Sequence, residues 1–157
     1  MSGRGRAETI PTGIYWFRAS WDRARSGYVA DLDNDPAAPA ALLGWLHRAI
    51  AEHAARTPAE RAAVAEQAAQ IPGEAGGPTM RAGGFKRTLV LEATTVNALE
   101  EAILTDRREL GRVVSRSEFV RHAALAAADQ AEHRLGRRLP PAPVRLPNRP
   151  VRRAGEP

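Results

Sequence analysis

The chain has no cysteine among its 157 residues. That excludes disulfides, zinc–thiolate centres, iron–sulfur ligation and cysteine nucleophiles, and it suits a reducing compartment. No apolar run approaches the roughly 18 residues of a membrane span, and MSGRGRAETIPTG at the start lacks the hydrophobic stretch of a secretion signal. The expectation is a soluble, cytoplasmic chain with no membrane partner. Lysine is almost missing: Lys86 stands alone among 23 basic residues, a bias that reads as GC-rich coding. Gly-rich phosphate loops, GxSxG elbows and HExxH pairs are also missing. Asp31, Asp33 and Asp35 open like a calcium loop, but Pro36 and Leu42 occupy the positions that need Gly and Glu. The four histidines offer no third ligand for a metal. No metal, cofactor or enzyme activity is expected.

What is present is uneven. Residues 1–72 hold eight arginines and eight acids, whereas residues 78–157 hold fifteen basic and nine acidic residues. A neutral half beside a basic half points to an anionic partner for the latter, nucleic acid first. Residues 1–9 are small and polar and read as disordered. Residues 10–71 read as a small N-terminal domain, α+β or helical. Its extended runs would be 14–19 and 27–32, hairpin-like, followed by helices over 39–55 and 58–70. Thr57-Pro58-Ala59-Glu60 supplies an N-cap, a proline at N1 and a capping glutamate. The stretch 72–84, PGEAGGPTMRAGG, reads as a flexible linker and domain boundary. Residues 85–136 form a second domain: the strand KRTLVLE, a helix capped by Thr94 or Thr95 and ended by Gly111, and a helix opened by SRSE at 115–118. The Pro- and Arg-rich stretch 137–157 reads as an extended, disordered tail, a source of non-specific DNA affinity. No internal repeat is evident. The fold class is thus mainly α with short strands.

A lone strand has two unpaired edges, and a unit of about 50 residues buries little core. Two copies pairing their strands antiparallel would remove both problems. Alternation then puts Leu89 and Leu91 on the core face, with Arg87 at its frayed end, and leaves Lys86, Thr88 and Val90 on the free face. A two-stranded ribbon of that kind fits the DNA major groove.

Residues 85–135 resemble the ribbon-helix-helix family of DNA-binding proteins. The likeness lies in KRTLVLE, in the helix bearing Val96, Leu99 and Ile103, and in Ser115-Arg116-Ser117-Glu118-Phe119-Val120-Arg121 after Gly111. It implies a homodimer that dimerises through its strand, with a dimer core of Leu89, Leu91, Val96, Leu99, Ile103, Phe119 and Val120. It also implies base contacts by Lys86, Thr88 and Val90, and a backbone phosphate held at the second helix by Ser115, Arg116 and Ser117, with Arg87 beside them. A helix N-terminus with free amides suits an anion on its own account. This chain departs from the family in having Glu92-Ala93 after the strand and a longer stretch between Leu99 and Ser115. The implied partner is double-stranded DNA, met by the dimer or by higher oligomers. The implied role is a transcriptional repressor, with a plasmid partition or mobilisation (relaxosome) accessory protein as the alternative. An antitoxin and a module that binds only protein are the further alternatives. The aromatics of residues 10–71 (Tyr15, Trp16, Phe17, Trp21, Tyr28, Trp45) leave one face of the first run to be covered by a second copy or a protein partner.

Overall fold

Strict alternation starts earlier than Ile14. In the computed structural model, which describes residues 7–76 and 83–148, β1 runs Thr9–Phe17. Ile14 and Trp16 point into the core and are fully buried, while Pro11, Gly13 and Tyr15 face out. The strand β2, Gly84–Glu92, repeats the pattern with Leu89 and Leu91 inward. The two pair antiparallel from Thr9↔Glu92 to Phe17↔Gly84, centred on Gly13↔Thr88.

This pairing corrects the expectation of a ribbon shared between two chains. The partner strand of β2 lies in the same chain, and the outer edges are met as well. Ser117 Oγ accepts from the Tyr15 amide at 2.9 Å, and Arg121 donates to the Tyr15 carbonyl at 2.7 Å. On the other edge the Glu92 amide donates to His47 Nε2 at 3.1 Å. Tyr15 and Glu92 thus turn their amides outward, and Pro11, of the same parity, loses no ladder bond by lacking an N–H.

Among the described residues the sheet carries five helices: α1 (Arg18–Asn34), α2 (Leu42–Ala55), α3 (Pro58–Ala68), α4 (Ala93–Leu110) and α5 (Arg116–Leu135). The expected strand at 27–32 is instead part of α1. Trp21, Ala24, Tyr28 and Asp31 are all buried at helical spacing on one face. Thr57 and Glu60 form the reciprocal capping box at the start of α3. Glu92, not Thr94 or Thr95, occupies the N-cap of α4, with no side-chain bond. Gly111, at φ 66°, ends α4 in the left-handed conformation that glycine adopts at least cost. Ser115 accepts from the Glu118 amide and opens α5.

The order strand–helix–helix occurs twice, as β1–α1–α2 and β2–α4–α5, and this is an internal repeat that the sequence hides. About the Gly13–Thr88 centre, Ile14 is the equivalent of Leu89 and Trp16 of Leu91. Counting on from the strands, Trp21 answers to Val96 and Asp31 to Asp106; counting from the starts of α2 and α5, Trp45 and Leu46 answer to Phe119 and Val120. Each unit's second helix packs on the other unit: α5 on α1, α2 on α4, and α2 on α5. The crossing of α1 and α5 is close because Gly27 faces Ala128; a methyl group at Gly27 would lie 2.8 Å from both Cα and Cβ of Ala128.

One core therefore joins residues on both sides of the expected domain boundary. It unites Ile14, Trp16, Tyr28, Trp45 and Ile50 with Leu91, Leu99, Phe119 and Ala124. The residues expected to form a dimer core are buried there within one chain, Ile103 only partly. Of the aromatic run expected to need a second protein, Trp16 and Phe17 are buried within the chain, while Tyr15 stands exposed on the outer face.

The segments expected to be loose are pinned where they are described. Glu8 accepts from the Ala93 amide at 2.8 Å, and Thr9 begins β1, although residues 1–6 of the expected disordered start lie outside the described residues. In the expected linker, the buried Glu74 carboxylate accepts from Ser20 Oγ at 2.6 Å and Arg121 Nε at 2.8 Å. Gly73, at φ 95°, lies so close to the Phe17 ring that no side chain fits. The remainder of that linker, 77–82, lies outside the described residues. The tail is extended but docked as far as 148. Ala142 N donates to Ser26 Oγ, Arg25 donates to the Pro143 and Val144 carbonyls, and Leu139 and Leu146 pack on the core. Residues 149–157 of the tail lie outside the described residues. No helix among the described residues is long and apolar enough to cross a membrane.

Candidate nucleic-acid interface

The outward face of the ribbon is built from four cross-strand pairs: Tyr15↔Lys86, Gly13↔Thr88, Pro11↔Val90 and Thr9↔Glu92. All eight residues are exposed, Tyr15 and Val90 by 39% and 46%. Two glycines shape the surface. A methyl group at Gly13 would collide with Cε of Lys86, and one at Gly84 would collide with the hydroxyl of Tyr15. The Lys86 stem therefore lies across Gly13, and the Tyr15 ring lies over Gly84. One end of the face is cationic and hydrogen-bonding (Tyr15, Lys86, Thr88). The other is apolar and acidic (Pro11, Val90, Glu92).

Lys86, Thr88 and Val90 thus stand together on the free face. The second set expected from a partner copy is absent within the chain, because β1 offers Pro11, Gly13 and Tyr15 at the equivalent positions. The face carries one basic residue. The Tyr15 hydroxyl joins this face only through the pairing of β1 with β2, which no local pattern in the sequence signals.

The other expected site residues lie apart from that face. Arg87 points to the opposite side, its guanidinium 4.8 Å over the Trp21 ring. Arg116 pairs with Glu100 of α4. The Ser117 hydroxyl is engaged by the Tyr15 amide, and Ser115 Oγ by the Glu118 amide at 3.1 Å. The Arg116 and Ser117 amides, in the first turn of α5, have no acceptor among the described residues. Among the described residues no group of three or more His, Asp or Glu side chains is arranged to hold a metal.

The first turn of α2 is the structural counterpart of this helix start. Ala41, its N-cap, offers no side-chain acceptor, and among the described residues its first amides have none. The start of α5 thus abuts the β1 edge through Ser117, whereas α2 meets the β2 edge through His47 in its second turn.

No family model matches the chain, and no curated protein or solved structure matches it significantly.

Proposed function

We propose that this chain binds double-stranded DNA with the β1–β2 ribbon in the major groove, as two ribbon-helix-helix units fused in one polypeptide. The observation that carries the reading is the free ribbon face, edged on the β1 side by the open N-terminus of α5. A two-stranded ribbon has the width to enter the major groove, and its outward side chains meet base edges. Helix N-termini present amides and the positive end of the dipole to flanking phosphates. On this reading Lys86 donates to guanine, Thr88 offers a hydroxyl to either base edge, and Val90 meets a thymine methyl. Tyr15 adds a hydroxyl that the other half-ribbon lacks.

Because the two halves differ, the preferred site is non-palindromic. A homodimer with identical strands would select a palindrome. The biological use is that of a transcriptional repressor occupying such a site. Selection of bound sequences from random duplexes tests this, followed by titration of the selected duplex. The expected result is an asymmetric consensus and one chain per site. Enrichment of no sequence, with binding unaffected by Lys86→Ala and Thr88→Ala, overturns it.

A further inference from the structure

On the side of the sheet away from the free face, a cavity of about 670 Å³ opens between α1, α2, β2 and residues 144–146. Its apolar lining includes Trp21, Leu42, Leu46 and Leu89. Four arginines also line it: Arg18, Arg25, Arg87 and Arg145. Arg25 is held by the backbone carbonyls of Pro143 and Val144, at 2.5 and 2.9 Å. Arg18, Arg87 and Arg145 have no carboxylate partner among the described residues. Instead Arg87 lies over Trp21 and Arg18 lies 5.5 Å over the Phe85 ring. Exposed guanidiniums without carboxylate partners leave positive charge beside the apolar wall, which an anion would neutralise. The first turn of α2 brings Leu42 and Leu43 to the cavity wall.

We propose that this cavity binds a small amphiphilic organic anion, with its acidic group among Arg18, Arg87 and Arg145 and its flat or aliphatic body on Trp21 and the leucines. The volume lies within the roughly 300–1,000 Å³ of small-molecule sites, and apolar walls with a few convergent polar groups are their usual lining. A DNA phosphate would use the arginines but leave the leucine floor empty, which favours the small ligand over the duplex. The site does not depend on the ribbon's binding DNA.

The test is calorimetric titration of the full chain with three probes: naphthalene-2-sulfonate, inorganic sulfate and uncharged 2-naphthalenemethanol. Naphthalene-2-sulfonate binds one per chain and changes Trp21 emission, whereas sulfate and the alcohol each bind at least tenfold more weakly. The double variant Arg87→Ala/Arg145→Ala, with unchanged circular dichroism, weakens the sulfonate at least tenfold; Arg107→Ala/Arg108→Ala on α4 leaves it unchanged. Sulfate binding as tightly as the sulfonate would reduce the site to a bare anion seat. The alcohol binding as tightly would reduce it to a greasy cleft. Saturation by a short duplex of random sequence, with no response to the sulfonate, would make it a phosphate seat. Each of these three results overturns the proposal, as does a double variant that binds normally.

Discussion

The two strand–helix–helix units solve one packing problem with opposite side chains. The first, Thr9–Ala55, spends its bulk on Trp16, Trp21, Tyr28 and Trp45. The second, Gly84–Leu135, meets that bulk with small residues: Ala123, Ala124, Ala127 and Ala128 line the buried face of α5. A close-packed interior needs the summed volume to be right, not each half to match the other. The close fit of Gly27 against Ala128 and the Trp45 ring is one place where large meets small. The same divergence removes the symmetry of the ribbon face, where Lys86, Thr88 and Val90 answer to Pro11, Gly13 and Tyr15. Pairing within one chain also frees each half to change alone, which a homodimer cannot do.

The sharpest way to break the comparison is at the two equivalent buried aspartates. Asp106 is 1% exposed and takes Arg61 Nε and Nη2 at 2.7–3.1 Å, with Arg112 at 3.4 Å. Asp31 accepts from Trp45 Nε1 at 2.8 Å and from the more exposed Arg48 and Arg134. Removing one partner of a buried pair leaves the other charge stranded, at about 3–5 kcal/mol. Asp106→Ala should therefore lower the urea midpoint more than Asp31→Ala, whose arginines can turn to water.

Next comes the volume match. Leu91→Ala, at a fully buried strand position, should cost about 2–5 kcal/mol. Gly27→Val should cost at least as much as a typical overpacking change, about 1–3 kcal/mol, because it meets the Ala128 backbone, which cannot give way. If Gly27→Val is neutral by thermal unfolding, the close crossing of α1 and α5 is wrong.

A smaller effect follows from pH. Burial, reinforced by neighbouring cations, lowers His53 to about 3 and His122 to about 4. Both are neutral in the fold, while the unfolded chain takes up protons below about pH 6.5. Stability is therefore full above that value and falls as pH drops toward 4, by up to ~1.4 kcal/mol per pH unit for each histidine. Urea midpoints between pH 7.5 and 4.5 should show this slope, and His53→Leu should flatten it. A slope left unchanged by His53→Leu would count against the burial of that ring beside Phe119.

Smallest in stability, though decisive for function, are the ribbon substitutions. Lys86→Ala and Thr88→Ala should leave the fold intact and erode discrimination by about 1–3 kcal/mol per base contact. Tyr15→Phe should affect only the half of the site facing β1.

The second unit was legible in sequence because its signals agree locally: β-branched and apolar alternation in 86–92, Gly111 as a stop and Ser115 as a start. The first was not. Trp21, Gly27, Tyr28 and Val29 are poor helix formers, and their tertiary burial against α5 overrides that preference. Without α1, the β–α–α order of the first unit disappears, and β2 looks unpaired. Nor could spacing show that Glu74, in a glycine-rich stretch, is buried between Ser20 and Arg121. Of the candidate site, the inward and outward faces of β2 followed from alternation alone. The engagement of Ser117 by Tyr15 and of Arg116 by Glu100 depends on contacts far apart in the chain and has no local signature.

The claim on which the rest depends is that one chain makes the whole ribbon and binds DNA with it. Sedimentation of the full chain, alone and with its selected duplex, tests this most directly. The expected result is a 17.0 kDa species at micromolar concentration and a complex holding one chain per site. A free dimer, with DNA binding lost on dilution below its dissociation constant and two chains in every complex, would contradict it.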